Sequence, residues 1–179
     1  MNTYQYNDGL ESERLVTKML SLDDIPAWSE FFTTPETTEF LKIHVLQTPE
    51  ESAEKWIERQ LNRYQNQEYG HQGLWDKTTG ELIGLSGLIQ QDLDGHKAIE
   101  VGYHVLKKHL GKGYAPEAAK LFFDYGFKTL NFDHIISIID INNIRSQRVA
   151  DKNGLKRGIQ TRFKDWDVFI YGIDKKDWK

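Results

Sequence analysis

The run Lys107-Lys-His-Leu-Gly-Lys-Gly-Tyr-Ala-Pro-Glu117 holds the densest set of side chains in the chain that could do chemistry, with Gly111 and Gly113 set among Lys107, Lys108, His109 and Lys112. It follows a strand-like stretch, residues 98–106, and leads into a helix-like one beginning near Ala115. That order aims unpaired backbone N–H groups, and the positive end of a helix dipole, at one point, where an anion binds; a nest this extended suits a pyrophosphate. A tight turn whose glycines merely permit positive φ explains the spacing equally well. The surrounding cations favour the anion. The dinucleotide fingerprint Gly-x-Gly-x-x-Gly is incomplete, and the nucleotide loop Gly-x-x-x-x-Gly-Lys-Ser/Thr is absent.

Other chemistries are narrowed by composition. With no cysteine, the chain has no disulfide, no thiolate metal site and no cysteine nucleophile. His71, His96, His109 and His134 show no His-x-x-x-His or similar spacing, so no metal is expected. No Ser–His–acid pattern appears, so a covalent acyl-enzyme is not expected either. A formal charge of −4 argues against non-specific nucleic-acid binding. No run of 18 apolar residues and no signal-peptide pattern is present; a cytoplasmic protein with no membrane partner is expected.

The elements that must position this turn read as a single domain over residues 1–179, with residues 1–9 a loose leader. Residues 14–19 alternate as a half-buried first strand. Leu22, Ile25, Trp28 and Phe32 have helical spacing. Thr48-Pro-Glu-Glu51 is a helix start with cap, N1 proline and capping-box glutamate, the helix running to about Gln67. Strands at 73–76, 82–89 and 98–106 are separated by turns at Lys77-Thr-Thr-Gly80 and Asp94-Gly95. A helix from 115 to about 128, a buried strand at 135–139, a short helix at 144–152 and strands at 155–162 and 167–173 complete the chain. The expected class is α/β or α+β with a mixed sheet. Trp28 and Trp56 fit the core; Trp166 and Trp178 are expected to line or cap an acceptor side.

The turn resembles motif A of the GCN5-related N-acetyltransferases (GNAT), standing here as Lys108-His-Leu-Gly111-Lys-Gly113 with lysine in place of the usual glutamine or arginine. A longer resemblance, to the RimJ/RimL-like ribosomal-protein branch, rests on Glu13-Arg14-Leu15, Ile83-Gly-Leu-Ser-Gly87, Glu100-Val-Gly-Tyr103, Gly111-Lys-Gly-Tyr-Ala-Pro-Glu-Ala118, Asn143-Ile-Arg-Ser146 and Asp151-Lys-Asn-Gly-Leu155, in family order over nearly the whole chain. Leu155 stands where phenylalanine is usual.

The resemblance implies a mostly antiparallel sheet flanked by helices, with a splayed strand pair that holds acetyl-CoA as co-substrate. Its pyrophosphate would sit on the N–H groups from about His109 to Ala115, with Lys108, Gly111, Lys112, Gly113 and Tyr114 around it and Lys152 within reach of the phosphates. The pantetheine arm would pair with Tyr103 and Val105. Asn143 would donate to and accept from a pantetheine amide, or act as a helix N-cap. The oxyanion would fall to a backbone N–H near Val105. Ser146 would assist the departing sulfur, or be a solvated helix serine. Glu100 is the expected base, or an outward-facing strand carboxylate; Glu117 complements the helix dipole. The implied acceptor is a protein N-terminal α-amine. A small amine (polyamine, amino acid or antibiotic) and a non-catalytic acyl-CoA-binding domain are the alternatives, and a monomer or homodimer is expected. Glu36, Glu39, Glu50, Glu51 and Glu54 could attract a cation but also fit solvated helix faces.

Overall fold

Among the described residues, seven strands, β1 (Leu15–Lys18), β2 (His71–Asp76), β3 (Leu82–Leu93), β4 (His96–Val105), β5 (His134–Asp140), β6 (Lys156–Phe163) and β7 (Trp166–Asp174), form one sheet in the order β1-β2-β3-β4-β5-β7-β6. The computed structural model describes residues 4–41, 46 and 48–179. Every neighbouring pair is antiparallel except β4 and β5, which are parallel and share a single register pair, Glu100 with Ile136. The expected mixed sheet with one splayed strand pair is therefore present.

Among the described residues, five α-helices cover the sheet: α1 (Ile25–Ser29), α2 (Pro35–Thr38), α3 (Pro49–Gln65), α4 (Tyr114–Asp124) and α5 (Ile144–Lys152). The start of α3 follows its sequence: Thr48 Oγ1 accepts the Glu51 N–H, Glu51 accepts the Thr48 N–H, and Pro49 opens the first turn. Such a cap stabilises a helix by about 1 kcal/mol. One core joins Phe122 and Phe123 of α4 to Ile83, Leu88, Val101 and Ile135 of the sheet. A second joins Trp28, Trp56 and Ile57 to Leu82 and Leu85. Both faces of β3 are thus covered, which is why Leu82–Ile89 reads as an almost unbroken apolar run. A bulge assists: Leu74 pairs with Gly84 and Trp75 with Leu82, so Ile83 is an extra residue and Leu82 and Leu85 share a face. The Asp94-Gly95 turn has positive φ at both residues, as a two-residue hairpin of this twist requires.

Three expectations are corrected. The leader is not loose over residues 4–9: Tyr6 is buried, its hydroxyl donates to the Gly70 carbonyl and accepts the Leu88 N–H, and the Asn7 N–H donates to the Tyr125 hydroxyl. Residues 22–33 are not one helix but a 3₁₀ turn at Leu22–Asp24, α1, and a second 3₁₀ turn at Glu30–Thr33, because Pro26 lacks an N–H and restarts the helix. Trp178 lies on Phe123 and Phe127 with its indole N–H on Asp124, and does not line the cleft described below. Trp28 and Trp56 are core, and Trp166 lines the cleft described below. No helix among the described residues is long and apolar enough to cross a membrane.

Candidate active site

Beyond Glu100 and Ile136 the β4–β5 ladder stops, and side chains take its place. Ser137 Oγ donates to the Val101 carbonyl at 3.0 Å, and the Ile138 N–H donates to Glu100 Oε1 at 3.2 Å. The strands then part, leaving a cleft of about 590 Å³ lined by Glu100, Tyr103, Val105, Ala115, Asn143 and Ser146, among others. An exposed strand edge beside a cleft can pair with an extended amide-bearing chain.

The glycine turn lies at the β4–α4 junction. The His109 and Leu110 N–H groups are spent on the carbonyls of Leu106 and Lys107. The nest is therefore shorter than expected: Gly111, Lys112, Gly113, Tyr114 and Ala115 offer N–H groups with no hydrogen bond among the described residues. Gly111 and Gly113 have φ of +76° and +81°, which side chains rarely adopt, and nothing crowds the missing Cβ of Gly111. Side chains around the turn are less available than their charges suggest. Lys108 Nζ is 3.2 Å from Glu30 and 3.7 Å from Glu81. The His109 ring is buried against Tyr114 and held below its usual pKa by burial and by Lys108 and Lys112, so it supplies no cation. Tyr114 donates to Asp76 at 3.0 Å. Lys112 is exposed on the turn and Lys152 on the last turn of α5.

What braces the turn comes from β1 and its approach. Glu117 accepts from the Ser12 hydroxyl, the Arg14 N–H and the Arg14 guanidinium at 2.7–2.8 Å, while Arg14 also donates to the Lys112 carbonyl and stacks 4.1 Å over Tyr114. Burial opposes ionisation of Glu117, but these donors outweigh it and hold the carboxyl below its usual value. Its place at the helix start is thus only part of its role. The Arg14 pairing spans 103 residues of sequence and leaves no local signal.

Across the cleft, the Tyr103 hydroxyl lies 2.8 Å from Ser146 Oγ, joining β4 to the first turns of α5. Burial keeps the Tyr103 phenol well above its usual pKa, so it stays protonated. Ser146 is not a solvated helix serine. Asn143 is the α5 N-cap, its Oδ1 accepting the Ser146 N–H at 3.0 Å. That leaves its NH₂ group as a donor and one of the two lone pairs of Oδ1 as an acceptor.

On the other face of β4 are Glu100, Gly102 and His104. Glu100 is reached through the cleft but enclosed by protein; burial raises its pKa, against the hydrogen bonds it accepts from Gln91 at 2.6 Å and from Ile138. The His71 ring crosses over Gly102, where a Cβ would lie 2.8 Å from Nε2, and stacks on Trp56 while meeting His104 edge-on at 4.9 Å. Burial holds both histidines below their usual pKa, His104 at about 4. Both His71 nitrogens and the Trp56 Nε1 are buried without a hydrogen-bond partner among the described residues. His71 and His104 were not distinguished by sequence spacing, being 33 residues apart in number and neighbours only through the β2–β3–β4 meander. Trp56, Arg59, Gln60 and Arg63 form one stripe of α3 along this wall. Among the described residues no three ligating side chains converge as a metal site.

The acidic run is accounted for in part by pairing: Glu36 meets Lys107 at 3.2 Å, Glu39 meets Arg145 at 3.0 Å, and Glu51 serves the α3 cap.

Residues 14–156 match the family model of the acetyltransferase (GNAT) domain. The chain is 39% identical over 99 residues to the uncharacterized protein YkkB of Bacillus subtilis (strain 168), covering 53% of this chain and 58% of that protein. It is 26% identical over 182 residues to the uncharacterized N-acetyltransferase p20 of Bacillus licheniformis, covering 94% of this chain and 97% of p20. The acetyltransferase of Agrobacterium tumefaciens str. C58 has a solved structure with a TM-score of 0.78 and 26% identity, covering 97% of this chain and 98% of that one. The ribosomal-protein-S5-alanine acetyltransferase of Vibrio fischeri shares the fold at 19% identity, with a TM-score of 0.71 and coverage of 94% and 97%.

Proposed function

The chain belongs to the GNAT acetyltransferase family, and on that premise we propose that it transfers the acetyl group of acetyl-CoA directly to the α-amine at a protein N-terminus, both substrates being held in one ternary complex. The observation that carries this reading is the parting of β4 and β5 beside five unpaired N–H groups, with the Tyr103–Ser146 pair across the opening. Those N–H groups, from Gly111 to Ala115, would take the pyrophosphate, and the open edge of β4 at Tyr103 and Val105 the pantetheine arm. Asn143 would donate its NH₂ to a pantetheine carbonyl.

Transfer requires loss of a proton from the amine, stabilisation of the carbonyl oxygen and departure of the thiolate. An α-amine costs about 1 kcal/mol to deprotonate at pH 7, whereas a lysine amine costs about 4–5 kcal/mol, so the first acceptor asks little of a base. Burial decides which side chain serves. It strengthens Glu100 as a proton acceptor and weakens His71 and His104, since it disfavours a charged carboxylate and a charged imidazolium alike. Glu100 is therefore assigned the base, through water. A backbone N–H near Val105 would receive the developing oxyanion. Ser146, oriented by a phenol that stays protonated, would hydrogen-bond the departing sulfur. The ribosomal-protein activity named for the Vibrio fischeri relative of this fold is consistent with a polypeptide acceptor.

Thioester consumption with separate pools of short peptides and of small amines tests the reading. Turnover with peptides, and loss of their free α-amine, is the expected result. Turnover with small amines alone would replace the acceptor, and binding of acetyl-CoA without turnover by either pool would favour a non-catalytic acyl-CoA-binding domain.

A further inference from the structure

The charges on the cleft wall are unequally answered. Among the groups that line it, Arg145 is held by Glu39 and by the Glu36 carbonyl, and Glu36 by Lys107. Asp140 Oδ1 accepts the Asn142 N–H, and Asp165 has a partner of its own. Three cations lack such an answer. Arg59 packs over the Trp56 ring, the Arg63 guanidinium donates only to Gln60 Oε1 at 3.2 Å, and Lys164 lies over the Phe163 ring. None of the three forms an ion pair with a carboxylate among the described residues.

Arg59 and Arg63 are one turn apart on α3, where like charges repel. Arg63 is also half-buried; burial and Arg59 act against its charge, while Glu68 and Glu100, neither of them at ion-pair distance, act for it. Neighbouring like charges that meet no carboxylate at ion-pair distance leave this wall able to take up an anion in the cleft. Arginine suits that anion if it is planar, because its fork of donors matches a carboxylate. The same wall carries the base assigned above, so the anion must belong to the molecule that carries the amine.

The geometry points to an acidic acceptor: an amine with a carboxylate near it in the same molecule, received by Arg59, Arg63 and Lys164 while the amine faces Glu100. This rests on the acyl-transfer reading and, within it, places acidic side chains in the first residues after the acceptor N-terminus. A polyamine, which brings only positive charge, is disfavoured by the same wall.

The full chain is assayed with acetyl-CoA and three peptides that share a neutral first residue and carry acidic, neutral or basic residues at positions two to four. Free aspartate and glutamate and spermidine complete the set. The acidic peptide is expected to exceed the basic one by about tenfold or more in kcat/KM at low salt, mainly through KM, the advantage shrinking as salt screens it. Arg59→Gln with Arg63→Gln should remove most of that advantage and leave acetyl-CoA affinity unchanged. Lys164→Ala, on an exposed turn, provides a second variant should the double one fold poorly. Equal rates for the three peptides, a preference untouched by these variants, or spermidine as the best acceptor would overturn the inference. If free acidic amino acids outrun every peptide and the variants abolish that lead, the acidic acceptor stands and the protein N-terminus is the part that fails.

Discussion

Glu100 joins two tasks in one carboxylate. Its Oε1 satisfies the Ile138 N–H that the parting strands would otherwise orphan, and the protein around it raises its affinity for a proton. Glu100→Gln keeps an oxygen for Ile138 and removes the base. We expect turnover to fall by about 10²–10⁴-fold, the usual worth of a positioned base, with acetyl-CoA affinity little changed in calorimetry. The pH profile adds a second reading. Because the base acts ionised and its pKa is raised, activity should climb through a pH range above that of an ordinary carboxylate, and that limb should vanish in the variant. Full activity in Glu100→Gln would return the residue to the structural task alone. At the same scale, Tyr103→Phe and Ser146→Ala each break the one hydroxyl pair, so their effects on turnover should be non-additive, the double variant losing little more than the worse single one.

The strand–turn–helix element shows which parts of a site are local. Gly111 and Gly113, their spacing and the order of elements around them were readable because each depends on neighbours within about ten residues. Arg14 was not, nor were the carboxylates that take up Lys108, because their partners arrive from β1, from the turn after α1 and from the loop before β3. The burial of Tyr6 was hidden for the same reason, its partners being Gly70 and Leu88. Two variants separate backbone from brace. Gly113→Val places a β-branched residue at φ +81°, with its Cβ 3.4 Å from Arg14, and should weaken acetyl-CoA binding by tenfold or more as the turn shifts to relieve about 1–3 kcal/mol of strain. Glu117→Gln leaves the turn's own residues intact but loosens Arg14. A smaller loss of donor affinity is expected there, with peptide KM unaffected; an unchanged affinity in calorimetry would mean that the glycine turn holds its shape without the brace.

At the scale of the whole molecule, two helical layers over one sheet enclose a wall of neutral histidines, and that choice links the site to global stability. His71 is 4% exposed and His104 is enclosed against Phe31 and Trp56. Both have folded pKa values below that of an unfolded histidine, near 6.5, with His104 at about 4. Between those values the unfolded chain binds protons that the folded chain refuses, so stability must fall as pH falls through this window. Each histidine can contribute up to about 1.4 kcal/mol per pH unit there. Glu117 shifts in the same direction and with the same consequence: its folded pKa is also lowered, so its contribution is full above the ordinary carboxylate value and disappears as pH drops through the lowered one. Acidification should therefore destabilise the fold in two stages, histidines first and Glu117 afterwards. Urea midpoints measured from pH 7 to pH 4 should decline across the whole histidine window, before carboxylates ordinarily titrate. His104→Phe keeps a ring against Phe31 and Trp56 and removes one titrating group, so its decline should be shallower by one histidine's share. A flat midpoint from pH 6.5 to pH 5 in the unsubstituted chain would mean that water or protons reach this wall freely, and Glu100 beneath it would then lack the enclosure on which its role as base depends.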